Sequence, residues 1–235
     1  MVSEFKRGIR DGFPICLGYF SVSMAFGLTA VKAGLPVWTA VLISFTNLTS
    51  AGQFAGLNLI TAGSSMIELA VTTFIINIRY FLMSLSVSQK TDKEFGIMKR
   101  LIASFGITDE VFAVSMQRTG SLSFRYMLGL IITPILGWTA GTFAGAVATS
   151  LLPAAVSNAM GIALYGMFIA IIVPPSRAHK NVLFAVVLAI VASVCFTYIP
   201  LLSGISRGWA IIIITVAVSA LAAWFFPIKE EEAGE

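Results

Sequence analysis

Residues 103–113 read A-S-F-G-I-T-D-E-V-F-A, and two adjacent carboxylates, Asp109 and Glu110, stand there among Phe105, Ile107, Val111 and Phe112. The chain around them is mostly oil. It is 57% hydrophobic and 11% charged over 235 residues, with a mean hydropathy of +0.92, whereas soluble domains carry about 25% charged residues. No soluble globule of this length hides so much apolar surface, so lipid is the expected solvent for much of the chain. Ionised groups at membrane depth cost several kcal/mol unless they face protein or water, which makes an intramembrane carboxylate a functional-site hypothesis. Arg79, in a second apolar stretch F-I-I-N-I-R-Y-F-L-M, is the cation to set beside it.

Working outward, six runs are apolar and long enough to cross about 30 Å of hydrocarbon: 12–31, 64–88, 126–149, 154–173, 182–202 and 208–226. Two further segments, 37–60 and 100–117, are apolar but broken by glycine and polar residues. The expected fold is therefore all-α and polytopic, with about six full spans plus two interrupted or re-entrant helices. Seven or eight spans is the alternative.

The basic tracts test the count. If both odd segments enter and leave on one side, Lys6/Arg7/Arg10, Lys90/Lys93/Lys99/Arg100, Arg118/Arg125 and Arg177/Lys180 all fall in the cytoplasm with both termini, and only Lys32 and Arg207 lie outside. If all eight segments span, the 89–100 tract and Arg177/Lys180 lie outside instead. These tracts are topology signals and not a nucleic-acid surface. The N-terminal run reads as an uncleaved span, because Pro14 and Gly18 interrupt its apolar core. The whole of 1–235 reads as one integral membrane domain whose acidic tail, 227–235, is expected to be disordered and solvating.

The odd segments resemble each other faintly. S-F-T-N-L-T-S-A-G-Q-F-A runs from Ser44 to Ala55, and S-F-G-I-T-D-E-V-F-A from Ser104 to Ala113. An internal duplication fits, and so does chance. Broken helices at membrane depth are tolerated only where protein or an aqueous cavity covers the backbone, and paired ones point to a transporter's site.

The candidate substrate-binding residues are Gln53, Arg79, Asp109, Glu110, Ser50, Phe54 and Asn77. Thr46, Thr49, Ser50 and Gln53 follow i, i+3, i+4, i+7 and make one polar stripe on a helix. It is either a hydrogen-bonding wall for a polar substrate or interhelical bonding. Asp109 and Glu110 point about 100° apart on a helix, so one carboxylate can meet a cavity and the other a cation. Alternatively, Thr108 caps a short helix with both acids in its first turn. Arg79 either snorkels to the cytoplasmic face or pairs with Asp109, Glu110 or a substrate carboxylate. Asp109, Glu110 and Asp11 are the proton-coupling candidates, with Asp11 otherwise interfacial or paired to a nearby arginine. Gly137, Gly141 and Gly145 repeat at i, i+4, i+8 and form a face for close helix packing.

Enzyme signatures are missing: no Walker loop, no G-x-S-x-G elbow and no H-E-x-x-H. One loop histidine, His179, and two isolated cysteines give no metal site, and no cofactor is expected. Pumping without a nucleotide site needs an ion gradient or a separate ATPase.

These motifs together resemble the AzlC family, the large subunit of branched-chain amino acid exporters, over about residues 5–225. The opening G-x-x-D-G-x-P-x-x-x-G-Y is Gly8, Asp11, Gly12, Pro14, Gly18 and Tyr19, and Ala25-Phe26-Gly27 continues it. The family's A-G-x-x-Q-F element is matched in part by Ala51, Gly52, Gln53 and Phe54, and its N-x-R-H element by Asn77, Arg79 and Tyr80. T-D-E-x-F-A is matched in full by Thr108, Asp109, Glu110, Phe112 and Ala113. Leu48-Thr49-Ser50 stands where a Tyr-Ala-Gly run is usual, and Tyr80 where histidine is frequent. The resemblance implies export of branched-chain or similar apolar amino acids from the cytoplasm across a bacterial inner membrane. It also implies a small hydrophobic AzlD-type membrane subunit as partner. The rival expectations are a non-transporting assembly or sensor subunit, and a channel.

Overall fold

The computed structural model describes residues 3–92, 95–149, 169, 172–200, 202 and 204–227. It is built of helices: α1 (Glu4–Lys32), α2 (Val37–Thr46), α3 (Ala51–Thr61), α4 (Met66–Lys90), α5 (Ile97–Phe105), α6 (Asp109–Gln117), α7 (Phe124–Ala148), α8 (Lys180–Tyr198) and α9 (Arg207–Phe225). Five of them, α1, α4, α7, α8 and α9, are long and apolar enough to cross a membrane. The apolar run 154–173 lies almost wholly outside the described residues, and the acidic tail from 228 onward lies outside them altogether.

Both odd segments are discontinuous. Segment 37–60 is α2 and α3 separated at 47–50, and segment 100–117 is α5 and α6 separated at 106–108. In each, the Ser-Phe pair sits at or near the end of the first half-helix, and the Phe of Phe-Ala is the fourth residue of the second half-helix. The α1–α2 and α3–α4 turns close by the glycine route. Gly34 and Gly63 have φ of +93° and +68°. The next residue's N–H reaches back five positions in each, from Leu35 to Ala30 O and from Ser64 to Leu59 O, both at 3.0 Å.

The contacts divide the chain into two compact units, Met1–Phe54 with Asn77–Leu164, and Ala55–Ile76 with Tyr165–Glu235. In the first, α1 and α7 lie side by side in the same direction. Gly8 meets the backbone at Tyr126–Leu130, Gly12 meets Leu130, and Gly27 meets Thr142–Ala146. From the other helix, Gly137, Gly141 and Gly145 meet the backbone at Cys16, Phe20 and Met24. A Cβ at any of these positions would collide with the opposing main chain, so the glycines set how closely the helices approach. A core of Val87, Ala103, Ile107, Val111, Leu122, Met127 and Leu130 packs the α5–α6 pair onto α7.

In the second unit α8 and α9 pack together, with the Phe184 ring edge-on to Phe225 and Phe226 at 5.8 and 5.4 Å. Glu68 is buried there. It accepts from the Gly208 N–H at 2.9 Å and from the Ser206 hydroxyl, which caps α9 from outside the helix. Large apolar side chains such as Trp38, Phe74, Phe81 and Leu136 face outward, as contact with lipid requires.

Candidate functional site

The α5–α6 break sets the site. Gly106 lets the chain press against Ile131 of α7, where a Cβ would clash. Thr108 is extended and caps α6 by accepting from the Val111 N–H at 3.4 Å. Asp109 and Glu110 then fall in the first turn, where the helix dipole favours anions.

The two carboxylates diverge, each to its own partner. Arg79 Nη1 donates to Asp109 Oδ1 at 2.9 Å and lies 2.7 Å from Oδ2. Arg79 Nη2 donates to the Tyr80 hydroxyl at 3.2 Å, and the guanidinium lies 4.9 Å from the Tyr80 ring centre. One guanidinium nitrogen thus holds the carboxylate while another is held by the neighbouring tyrosine. Glu110 Oε2 accepts from the Tyr19 hydroxyl of α1. The pair remains reachable from outside the protein, since the Arg79 and Asp109 side chains are 46% and 42% exposed.

From Tyr19 the cluster continues inward. Its ring meets Trp138 edge-on at 5.2 Å. Trp138 Nε1–H donates to Gln53 Oε1 at 2.7 Å, and Gln53 Nε2 donates to Ser44 Oγ at 3.0 Å. Ser44 and Thr142 hydroxyls share a bond of 2.7 Å. Indole N–H only donates, so it fixes which end of the amide faces it. Gln53 is 2% exposed, with its carbonyl and its amide nitrogen each engaged. It ties α2, α3 and α7 together and presents no surface to a ligand in this conformation. Phe54 is likewise packed, edge-on against Phe26 of α1 at 5.3 Å.

Ser50 lies in the α2–α3 break with φ of +42°, a left-handed conformation for a residue that carries a Cβ. Asn77 is half-buried and its amide abuts Gly52. Asp11 is not brought to the other acids. Its Oδ2 accepts from the Tyr126 hydroxyl at 2.9 Å, so it pairs with a tyrosine and not an arginine. The Arg118 guanidinium stacks on the same Tyr126 ring at 3.9 Å and bonds Glu4 at 2.6 Å. Lys90 Nζ donates to the carbonyls of Ser115 and Met116 at 3.3 and 2.7 Å, and so holds the C-terminal end of α6. Among the described residues, no group of three or more His, Cys, Asp or Glu gathers as a metal site.

Tyr19, Tyr80, Trp138 and Ser44 complete this cluster and were not singled out as site residues. Each carries a polar atom within an apolar run, which is the signal that marks them, but the partner of each is set by tertiary contact.

The fold and this cluster define a polytopic helical membrane protein whose interrupted helices gather opposite charges within one unit. The chain belongs to the AzlC family, since the family model described as AzlC protein matches residues 14–152. It is similar to "Inner membrane protein YgaZ" of Escherichia coli (strain K12), with 29% identity over 216 residues and 88% of each chain covered. An uncharacterized membrane protein of Archaeoglobus fulgidus is 30% identical over 172 residues, 72% of this chain and 75% of that one. Another, of Helicobacter pylori (strain ATCC 700392 / 26695), is 23% identical over 203 residues, 82% and 88% of the two chains. No solved structure matches the chain significantly.

Proposed function

We propose that the chain is the large subunit of a secondary transporter that exports branched-chain or similar apolar amino acids, driven by an ion gradient. The observation that supports this most is the Arg79–Asp109 pair at a helix break, with Glu110 and Tyr19 alongside. A zwitterionic amino acid offers one partner to each member of that pair. Its carboxylate takes the Arg79 guanidinium, and the released Asp109 takes its ammonium. One ion pair becomes two with no change in net charge, so the exchange avoids stranding an uncompensated ion at membrane depth. Glu110, held by a neutral hydroxyl and not by a cation, is the proton-coupling candidate. Gln53 acts by fixing α3 against α7 and not by touching substrate.

The partner is a small hydrophobic AzlD-type subunit, and the membrane is the bacterial inner membrane with both termini cytoplasmic. The test is counterflow of radiolabelled valine, leucine and methionine in proteoliposomes, with and without the partner and an imposed pH gradient. Saturable, mutually competing uptake is expected. Absence of flux for all three with the partner present would favour a non-transporting assembly subunit, and non-saturable flux a channel.

A further inference from the structure

The α2–α3 break holds two polar atoms that the transport reading leaves unused. Thr49 Oγ1 and Asn77 Oδ1 are both buried, and neither finds a hydrogen-bond partner within the protein. They converge on one place. A Cβ built on Gly52 would lie 2.5 Å from Thr49 Oγ1, 2.9 Å from Asn77 Nδ2 and 3.0 Å from Asn77 Oδ1. Having no Cβ, Gly52 lets both side chains close in beside it. The backbone there is held in an unusual state, with Ser50 left-handed at φ +42° and Asn47, the C-cap of α2, extended at φ −147° and ψ 105°. An extended C-cap returns no backbone N–H to the last turn of α2, where the Thr46 hydroxyl donates to the Leu42 carbonyl at 2.7 Å, and the partial negative end of that helix lies at the break.

We infer that Thr49 and Asn77, with the carbonyl end of α2, form a binding site for a small monovalent cation. The donor set selects the ligand. Asn77 Oδ1 is the unpartnered atom of its amide and only accepts, so the ligand it calls for is a cation or a donor and not an anion. Neutral oxygens with no free carboxylate suit a monovalent ion better than a divalent one, which takes its charge balance from Asp and Glu. Unwound backbone and the C-terminal ends of half-helices are where broken-helix transporters hold coupling ions. Two sources share this chemistry, a free metal ion such as sodium and a free alkylammonium ion. The site adds to the transport reading, and its test measures binding without flux, so the two fail separately.

The experiment follows thermal unfolding of the full-length detergent-purified protein by intrinsic tryptophan fluorescence. Sodium chloride is titrated against choline chloride at constant ionic strength, and isoamylammonium chloride in a parallel series. A ligand that binds only the folded state raises Tm in a saturable way. A rise with sodium assigns the metal ion, and a rise with isoamylammonium that persists in Asp109→Asn assigns the alkylammonium ion. Thr49→Val and Gly52→Ala are expected to raise the half-maximal concentration about tenfold, and Asn77→Asp, which adds a negative charge at the same volume, to lower it about tenfold. No rise with either probe in the unsubstituted protein overturns the site. So does an unchanged half-maximal concentration in Asn77→Asp, a result that stands even where Thr49→Val or Gly52→Ala fails to fold. An unchanged value in those two variants would leave a bridging water as the occupant and also overturn it.

Discussion

The Trp138–Gln53 bond sets a defined cost for taking the interior of the cluster apart. Trp138→Phe removes the N–H that faces Gln53 Oε1 at 2.7 Å, and that oxygen belongs to a side chain only 2% exposed. In water-soluble proteins, stranding a buried acceptor costs about 1–3 kcal/mol. Interhelical bonds in lipid average about 0.6 kcal/mol and reach about 1.7, because the unfolded chain in the membrane also finds partners. Trp138 also loses part of its edge contact with Tyr19, so about 1–2 kcal/mol is expected for the single variant. Gln53→Leu strands both the Trp138 N–H and a lone pair of Ser44, and is expected to cost a similar amount. In the double variant neither the indole N–H nor the amide oxygen is left stranded and only the Ser44 lone pair is, so it should lose about 1 kcal/mol less than the sum of the singles. Thermal unfolding in one detergent reads this as a Tm gap of about 2–4 °C for a chain of this size. Additive losses would refute the claim that these two side chains hold α3 to α7 through one shared bond.

Gly141→Leu drives a side chain into the Phe20 carbonyl and Ser23 hydroxyl of α1. With backbone on the far side there is no room to yield, so the cost is expected to exceed the roughly 1–3 kcal/mol typical of overpacking, with loss of monodisperse protein by size exclusion. Ser50→Gly relieves the left-handed strain at φ +42° and should hold or raise stability by up to about 1 kcal/mol, while Ser50→Val should lower it by more than that. The pair is read by Tm in parallel.

Most of the fold was legible because hydrophobic runs in lipid have few alternatives. The spans 64–88, 182–202 and 208–226 fall on α4, α8 and α9 within a few residues. The first span begins earlier than its apolar run, since Ser3 caps a helix whose opening turns are charged. The breaks in 37–60 and 100–117 were legible from glycine and polar residues placed where a continuous helix would not want them. Which helices pack into each of the two compact units is not legible in periodicity, which says nothing of which helices touch. Partners were illegible for the same reason. Tyr19 meets Glu110 across 91 positions and Trp138 meets Gln53 across 85, and no local pattern encodes such distances. The stripe through Thr46, Thr49, Ser50 and Gln53 holds only where those residues share one helix. The break at 47–50 splits it, turning Gln53 into the core and leaving Thr49 beside Asn77.

The exchange of ion pairs at Arg79 and Asp109 is tested most directly by Asp109→Asn in proteoliposomes with the partner subunit, at matched levels of inserted protein. Leucine counterflow is expected to fall at least about tenfold, because the amide cannot receive the ammonium as a charge partner, while the variant's Tm stays within a few degrees of the unsubstituted protein. Counterflow equal to that of the unsubstituted protein would contradict a substrate site at this pair.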